Sequence, residues 1–237
     1  MKITTTSVSG NGQILPDNPF QIESGKIINV AFLIYNEVEA MDLNCPLDIL
    51  SKANFKEGDF FVKEKIYNIF TVAASTKKIV HSEGGAVNMV PAYSYENAPQ
   101  ADILVVPGAD PLTIAKLCQN EPEMFEWIIQ QNETTKVTMS VCSGSLLLSR
   151  AGILDGKKAT THYLVIDELK ANPAIEVIEN VRFVWDGKFI TTAGVTSGID
   201  GALFLVELIH GKAKADGIAR ALIYNRSEDM SFMNDVV

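Results

Sequence analysis

Three stretches of this chain are apolar almost from end to end over the length of a strand: 28–35 (Ile-Asn-Val-Ala-Phe-Leu-Ile-Tyr), 101–106 (Ala-Asp-Ile-Leu-Val-Val) and 137–141 (Val-Thr-Met-Ser-Val). A strand without a polar face has to be covered on both sides. That condition is met in a parallel sheet lying between two layers of helices. Helical patterns fill the intervals as this arrangement requires. They are expected over 42–54, 113–119, 122–132, 143–151, a stretch ending at Leu169, 198–210 and 213–224. Further strands are expected over 67–74, 87–91, 159–161, near Val177 and over 189–192. Strands alternating with helices at this spacing specify an α/β fold with a mostly parallel sheet sandwiched by helices. No repeat, low-complexity tract or linker divides the pattern, so residues 27–237 are read as one domain. Residues 1–26 are polar, broken by Gly10, Gly12, Pro16 and Pro19, and are read as an extended leader.

In such a sheet the ligand crevice opens at the carboxyl ends of the strands, and three chemistry-bearing features converge there: the residues after Tyr35, the Pro107-Gly108-Ala109 turn, and Cys142. The cysteine ends a buried strand and is followed at once by Ser143, Gly144 and an apolar helical stretch. This is the pattern of a nucleophile elbow, in which a tight turn holds one side chain above the sheet edge. A helix N-terminus beside the sulfur predicts a stabilised thiolate. Asp42 sits where the first helix begins and is read either as a carboxylate beside the site or as the cap of that helix. Glu39 is a second candidate for the same carboxylate, and His162, at a strand-to-helix junction, is either site-lining or a structural hydrogen-bonder. Asp200, in a glycine-rich turn before an apolar helix, reads as a cap or turn former.

The charge balance excludes some partners. With 29 acidic against 20 basic residues the formal charge is −9, and lysines and arginines form no cluster, so a phosphate-binding surface and nucleic acid are not expected. Cys45, Cys118 and Cys142 are too few and too scattered for a disulfide framework or a cysteine zinc site. The three histidines have no metal-ligand spacing, and neither GxGxxG nor a P-loop is present. No metal and no cofactor are expected. The N-terminus lacks a secretory apolar core and no apolar window spans a bilayer, so a cytoplasmic protein without membrane contact is expected.

Three pieces of the sequence together resemble the ThiJ/PfpI superfamily of the class I glutamine-amidotransferase-like, flavodoxin-like fold. They are 31–35 with 41–50 (Met-Asp-Leu-Asn-Cys-Pro-Leu-Asp-Ile-Leu), 102–108 (Asp-Ile-Leu-Val-Val-Pro-Gly), and 141–144 (Val-Cys-Ser-Gly) running through 151–162 (Ala-Gly-Ile-Leu-Asp-Gly-Lys-Lys-Ala-Thr-Thr-His). The branch they are most similar to is isonitrile hydratase together with the amidase-like domains of AraC-type regulators. The resemblance covers about 28–224. It implies Cys142 as nucleophile and Asp42 as the carboxylate beside it, with backbone donors at Ser143, Gly108 and Ala109 for developing negative charge. Where many relatives carry two glycines, this chain has Gly108-Ala109.

Peptidase-like relatives place a histidine directly after the cysteine; here Ser143 stands there, so a Cys-His amidase or protease triad is not supported. The expected activity is therefore cysteine-dependent hydration of isonitriles to N-substituted formamides, acting on a small molecule. The alternatives are a non-catalytic ligand- or redox-sensing domain, or a glyoxalase- or amidase-like activity on another small electrophile. Glyoxalase-like relatives use a glutamate near the cysteine, against Asp42 here. AraC-type relatives carry a helix-turn-helix region after this domain, for which the 237 residues leave no expected place. A homodimer is expected, as relatives are commonly dimers.

Overall fold

The computed structural model of the protein describes residues 25–226; most of the expected leader and most of the tail after Tyr224 lie outside the described residues. Seven strands form the central sheet: β1 (Ile28–Leu33), β2 (Tyr67–Ala73), β3 (Tyr93–Ser94), β4 (Ile103–Val106), β5 (Val137–Val141), β6 (Phe183–Asp186) and β7 (Phe189–Thr192). Their spatial order is β6-β7-β5-β4-β1-β2-β3, and every pairing is parallel except the β6-β7 hairpin. The helices are α1 (Ala40–Lys52), α2 (Pro111–Asn120), α3 (Pro122–Thr134), α4 (Gly144–Arg150), α5 (Ile166–Lys170), α6 (Ser197–His210) and α7 (Lys212–Ala221).

The sheet divides two cores. Ile28, Val30, Phe32 and Ile34 face α1, α6 and α7, while Ala31, Leu33 and Tyr35 face α2, α3, α4 and α5. All of these strand residues are buried, which is why the strand shows no polar alternation. The fold expected from the sequence is the fold present.

Several elements depart from expectation. The segment expected as a strand over 87–91 contributes only Asn88–Met89, paired antiparallel with Val80–His81 outside the main sheet. The sheet edge is instead taken by β3, which follows Pro91 and pairs in parallel with the end of β2. Proline at 91 has no amide to donate to a ladder, and the chain resumes pairing only beyond it. The strand expected over 159–161 is Lys158–Ala159, paired in parallel with Glu176–Val177 outside the main sheet. The sequence reading also missed β6 and the hairpin Phe55–Lys56 with Asp59–Lys63. Asp200 caps nothing: it lies inside the first turn of α6, where Oδ2 accepts from Arg182 Nη1 at 2.7 Å and Oδ1 from the Tyr224 hydroxyl at 2.7 Å.

Candidate active site

The carboxyl ends of β1, β4, β5 and β7 meet above the sheet. Cys142 directly follows β5 with φ 55°, in the left-handed region, and α4 begins two residues later. This is the elbow expected from the sequence. It closes because residue 144 is glycine: a Cβ there would stand 2.2 Å from the Val106 carbonyl oxygen at the end of β4. The Cys142 carbonyl accepts hydrogen bonds from Thr161 Oγ1 at 3.1 Å and Ser145 Oγ at 3.4 Å, which fix the strained residue from two sides.

Asp42 enters from the first turn of α1 and is fully buried. It is not the helix cap. That position belongs to Glu39, whose side chain accepts the Met41 N–H at 3.1 Å. Glu39 also anchors the helix start to the β4 loop, because its N–H donates to the Gly108 carbonyl at 2.9 Å. Pro46 lies four residues past Asp42 and removes the helical hydrogen bond to the Asp42 carbonyl. Asp42 Oδ2 accepts the Gly108 N–H at 3.0 Å, whereas Oδ1 is buried with no partner at full hydrogen-bond geometry. The Cys142 thiol and the Val195 N–H face the carboxyl and favour its charged form. Burial outweighs them, and with the nearby Glu39 charge it raises Asp42 to about 7.

The sulfur behaves otherwise than the sequence predicts. Burial first, and the Asp42 charge second, push the Cys142 thiol up to about 12 against the pull of the Ser143 N–H and hydroxyl. The expected resting thiolate is thus replaced by a neutral thiol beside a carboxylate that titrates near neutrality. A helix terminus as short as that of α4 does not offset desolvation by the closing loops.

The expected backbone donors divide. The Gly108 N–H is engaged by Asp42. The Ala109 N–H is engaged by Ser143 Oγ at 3.0 Å, and the same hydroxyl donates to the Ala109 carbonyl at 2.6 Å. Of the three, the Ser143 N–H is the donor directed at the sulfur. The Pro107-Gly108-Ala109 turn therefore orients Asp42 and the elbow. It is itself held by the buried Tyr35 hydroxyl, which donates to the Pro107 carbonyl at 2.6 Å.

The far wall is the segment 193–197, whose part sequence reading missed. Gly194 has φ 120°, and a Cβ there would stand 2.8 Å from His162 Cδ2 and 3.1 Å from Cys142 Sγ. That single position brings His162 and the nucleophile to one place. His162 Nδ1 accepts the Leu164 N–H at 3.4 Å, and partial burial lowers the imidazole pKa, so the ring is a neutral wall. Val195, with φ 39°, is a β-branched residue in a conformation such residues avoid, and its N–H is the one turned toward Asp42. The only signal in the sequence was the run of small residues 193–198 after a strand. Gly194→Ala should lower stability by about 1–3 kcal/mol and cut turnover at least about tenfold, since the new methyl occupies the space at the sulfur. Urea unfolding and initial rates on one preparation check both effects.

Among the described residues no group of three His, Cys, Asp or Glu side chains is placed to hold a metal ion, and no helix is long and apolar enough to cross a membrane.

A doubly covered parallel sheet with a cysteine elbow and an adjacent buried acid defines the class, and the chain belongs to the DJ-1/PfpI family, whose model matches residues 28–208. Among individual proteins it is similar to isonitrile hydratase of Pseudomonas putida, 31% identical over 197 residues that cover 83% of this chain and 78% of that protein. It is also similar to the HTH-type transcriptional regulator CdhR of Pseudomonas aeruginosa, 29% identical over 68% of this chain but only 46% of the regulator. A solved ThiJ/PfpI family protein from Pseudomonas syringae superimposes with a TM-score of 0.74 at 28% identity, covering 92% of this chain and 85% of that one.

Proposed function

We propose that the protein is a cysteine-dependent hydro-lyase that converts isonitriles to N-substituted formamides. The observation that carries this reading is the pairing of a neutral buried thiol with a buried carboxylate that titrates near 7 and keeps one oxygen unpartnered. An isonitrile carbon is both electrophile and, once attacked, carbanion-like, so it needs a nucleophile and one proton delivered to carbon. The Cys142 sulfur bonds to that carbon as the Asp42 carboxylate takes the thiol proton. Asp42 then gives the proton to carbon, leaving the thioimidate R–N=CH–S–Cys142. Water adds across the C=N bond, its proton passing through Asp42 to nitrogen. The C–S bond breaks as the hydroxyl proton returns to sulfur, giving R–NH–CHO and the free thiol. No amine is expelled in this sequence, so no histidine acid is required. The similarity to an isonitrile hydratase at 31% identity supports the choice of substrate.

The redox-sensing alternative fits the site less well, because oxidation proceeds through an accessible thiolate and this thiol is buried and held protonated. Incubation of the purified protein with a simple aliphatic and a simple aromatic isonitrile at neutral pH tests the proposal. Formamide accumulating in proportion to protein is the expected result, and no turnover of either substrate overturns it.

A further inference from the structure

A cavity of about 210 Å³ opens beside the nucleophile. Its inner wall includes Thr161 and Ala193, and the residues that follow them, His162 and Gly194, are the two that close on the Cys142 sulfur. The cavity is thus one residue removed from the reacting atom. It is smaller than the sites that hold drug-sized ligands and suits a compact group.

Its lining is apolar on one side and anionic on the other. Leu164 and Val181 supply aliphatic surface and Tyr163 an aromatic ring, which packs against His162 with centroids 4.6 Å apart. Asp167 and Glu179 supply two carboxylates, and no lysine, arginine or histidine lines the cavity. Lys170 pairs with Glu179 at 2.5 Å from the rim, so one cation stands against two carboxylates and the charge of Asp167 is left over. On the opposite flank of the nucleophile, Glu39 adds negative potential at Asp42. An aromatic face beside an unneutralised carboxylate in a small apolar recess is the chemistry that recognises an ammonium group.

We propose that this cavity is the subsite for the substituent on the substrate nitrogen, and that it selects a compact apolar substituent ending in a positive charge, such as a trimethylammonio group. The proposal rests on the hydratase reading above. It is tested with two isonitriles of equal bulk, one ending in a trimethylammonio group and the other in a tert-butyl group at the same position. The cationic substrate is expected to show a kcat/KM about tenfold higher or more. That ratio should fall toward one in Asp167→Asn and in Tyr163→Leu, both exposed positions that the fold tolerates. A wild-type ratio of one or below, or a ratio that survives Asp167→Asn, overturns the proposal. If neither isonitrile is turned over, the hydratase reading falls, and the subsite is then judged by calorimetry with the two corresponding formamides. Tighter binding of the cationic formamide that is lost in Asp167→Asn keeps the assignment of the cavity, and equal binding overturns it.

Discussion

Cys142→Ala lowers kcat/KM for an isonitrile by about a thousandfold or more while the protein remains folded. No other group in the site can form the carbon bond: Asp42 is committed to Gly108 through one oxygen, and the Ser143 hydroxyl is clasped between the amide and carbonyl of Ala109. Removing a nucleophile usually costs as much as dismantling the whole catalytic unit, because the remaining groups have nothing left to assist. The structural cost is small. The sulfur is the only atom lost, and the left-handed backbone at residue 142 is held by Thr161 and Ser145 through the carbonyl, which alanine retains. Steady-state formamide production, together with a thermal melt of each protein, checks both halves. Cys142→Ser should fare little better, since its hydroxyl is a far weaker acid than the thiol and asks more of the same carboxylate.

Asp42→Asn produces two opposite effects. Turnover falls by about 10²–10⁴-fold, the usual range for a lost general base. Stability rises, and only at high pH. An aspartate in the unfolded chain ionises near 3.9, whereas burial holds Asp42 at about 7 in the folded protein. Between those values the unfolded chain loses its proton first, so wild-type stability declines as pH rises from about 4 and the full penalty is present above 7. The shift sets a ceiling of about 4 kcal/mol, and loss of the charged acceptor for the Gly108 N–H offsets part of it. Asparagine carries no charge to bury, so the variant should match wild type near pH 4 and exceed it by about 2 kcal/mol at pH 8. Urea denaturation at the two pH values measures the difference. A variant less stable than wild type at pH 8 would mean that the ionised carboxylate is well solvated or paired in the native state.

The sheet was legible where burial on both faces removed every choice. β1, β4 and β5 read as apolar runs, and the small residues after Cys142 announced the elbow. Legibility failed where pairing depends on the edge: a short apolar run around Val87 lost its place to Tyr93–Ser94 because Pro91 intervenes. The hairpin at Phe55–Lys63 alternates too weakly to signal itself, with Phe61 almost fully exposed. At the site, residue identities were readable and electrostatics were not. The cysteine looked like a thiolate because its sequence neighbours start a helix. The opposing influences, burial by the 193–197 segment and the charge of a carboxylate a hundred residues earlier, exist only in three dimensions. Likewise Gly108 and Ala109 read as free donors, since nothing in sequence reveals that Asp42 and Ser143 take up their N–H groups.

The central claim is that a neutral Cys142 thiol reacts by passing its proton to an ionised Asp42. The dependence of kcat/KM on pH for a simple neutral isonitrile tests it most directly, compared between wild type and Asp42→Asn. Wild-type activity should climb tenfold per pH unit below the Asp42 pKa, bend near 7 and level off above it, and the residual activity of the variant should lack that bend. A wild-type profile that is flat from pH 5.5 to 8.5, or one that falls above 7, would contradict the account by showing that the charged carboxylate is not the form that takes the proton.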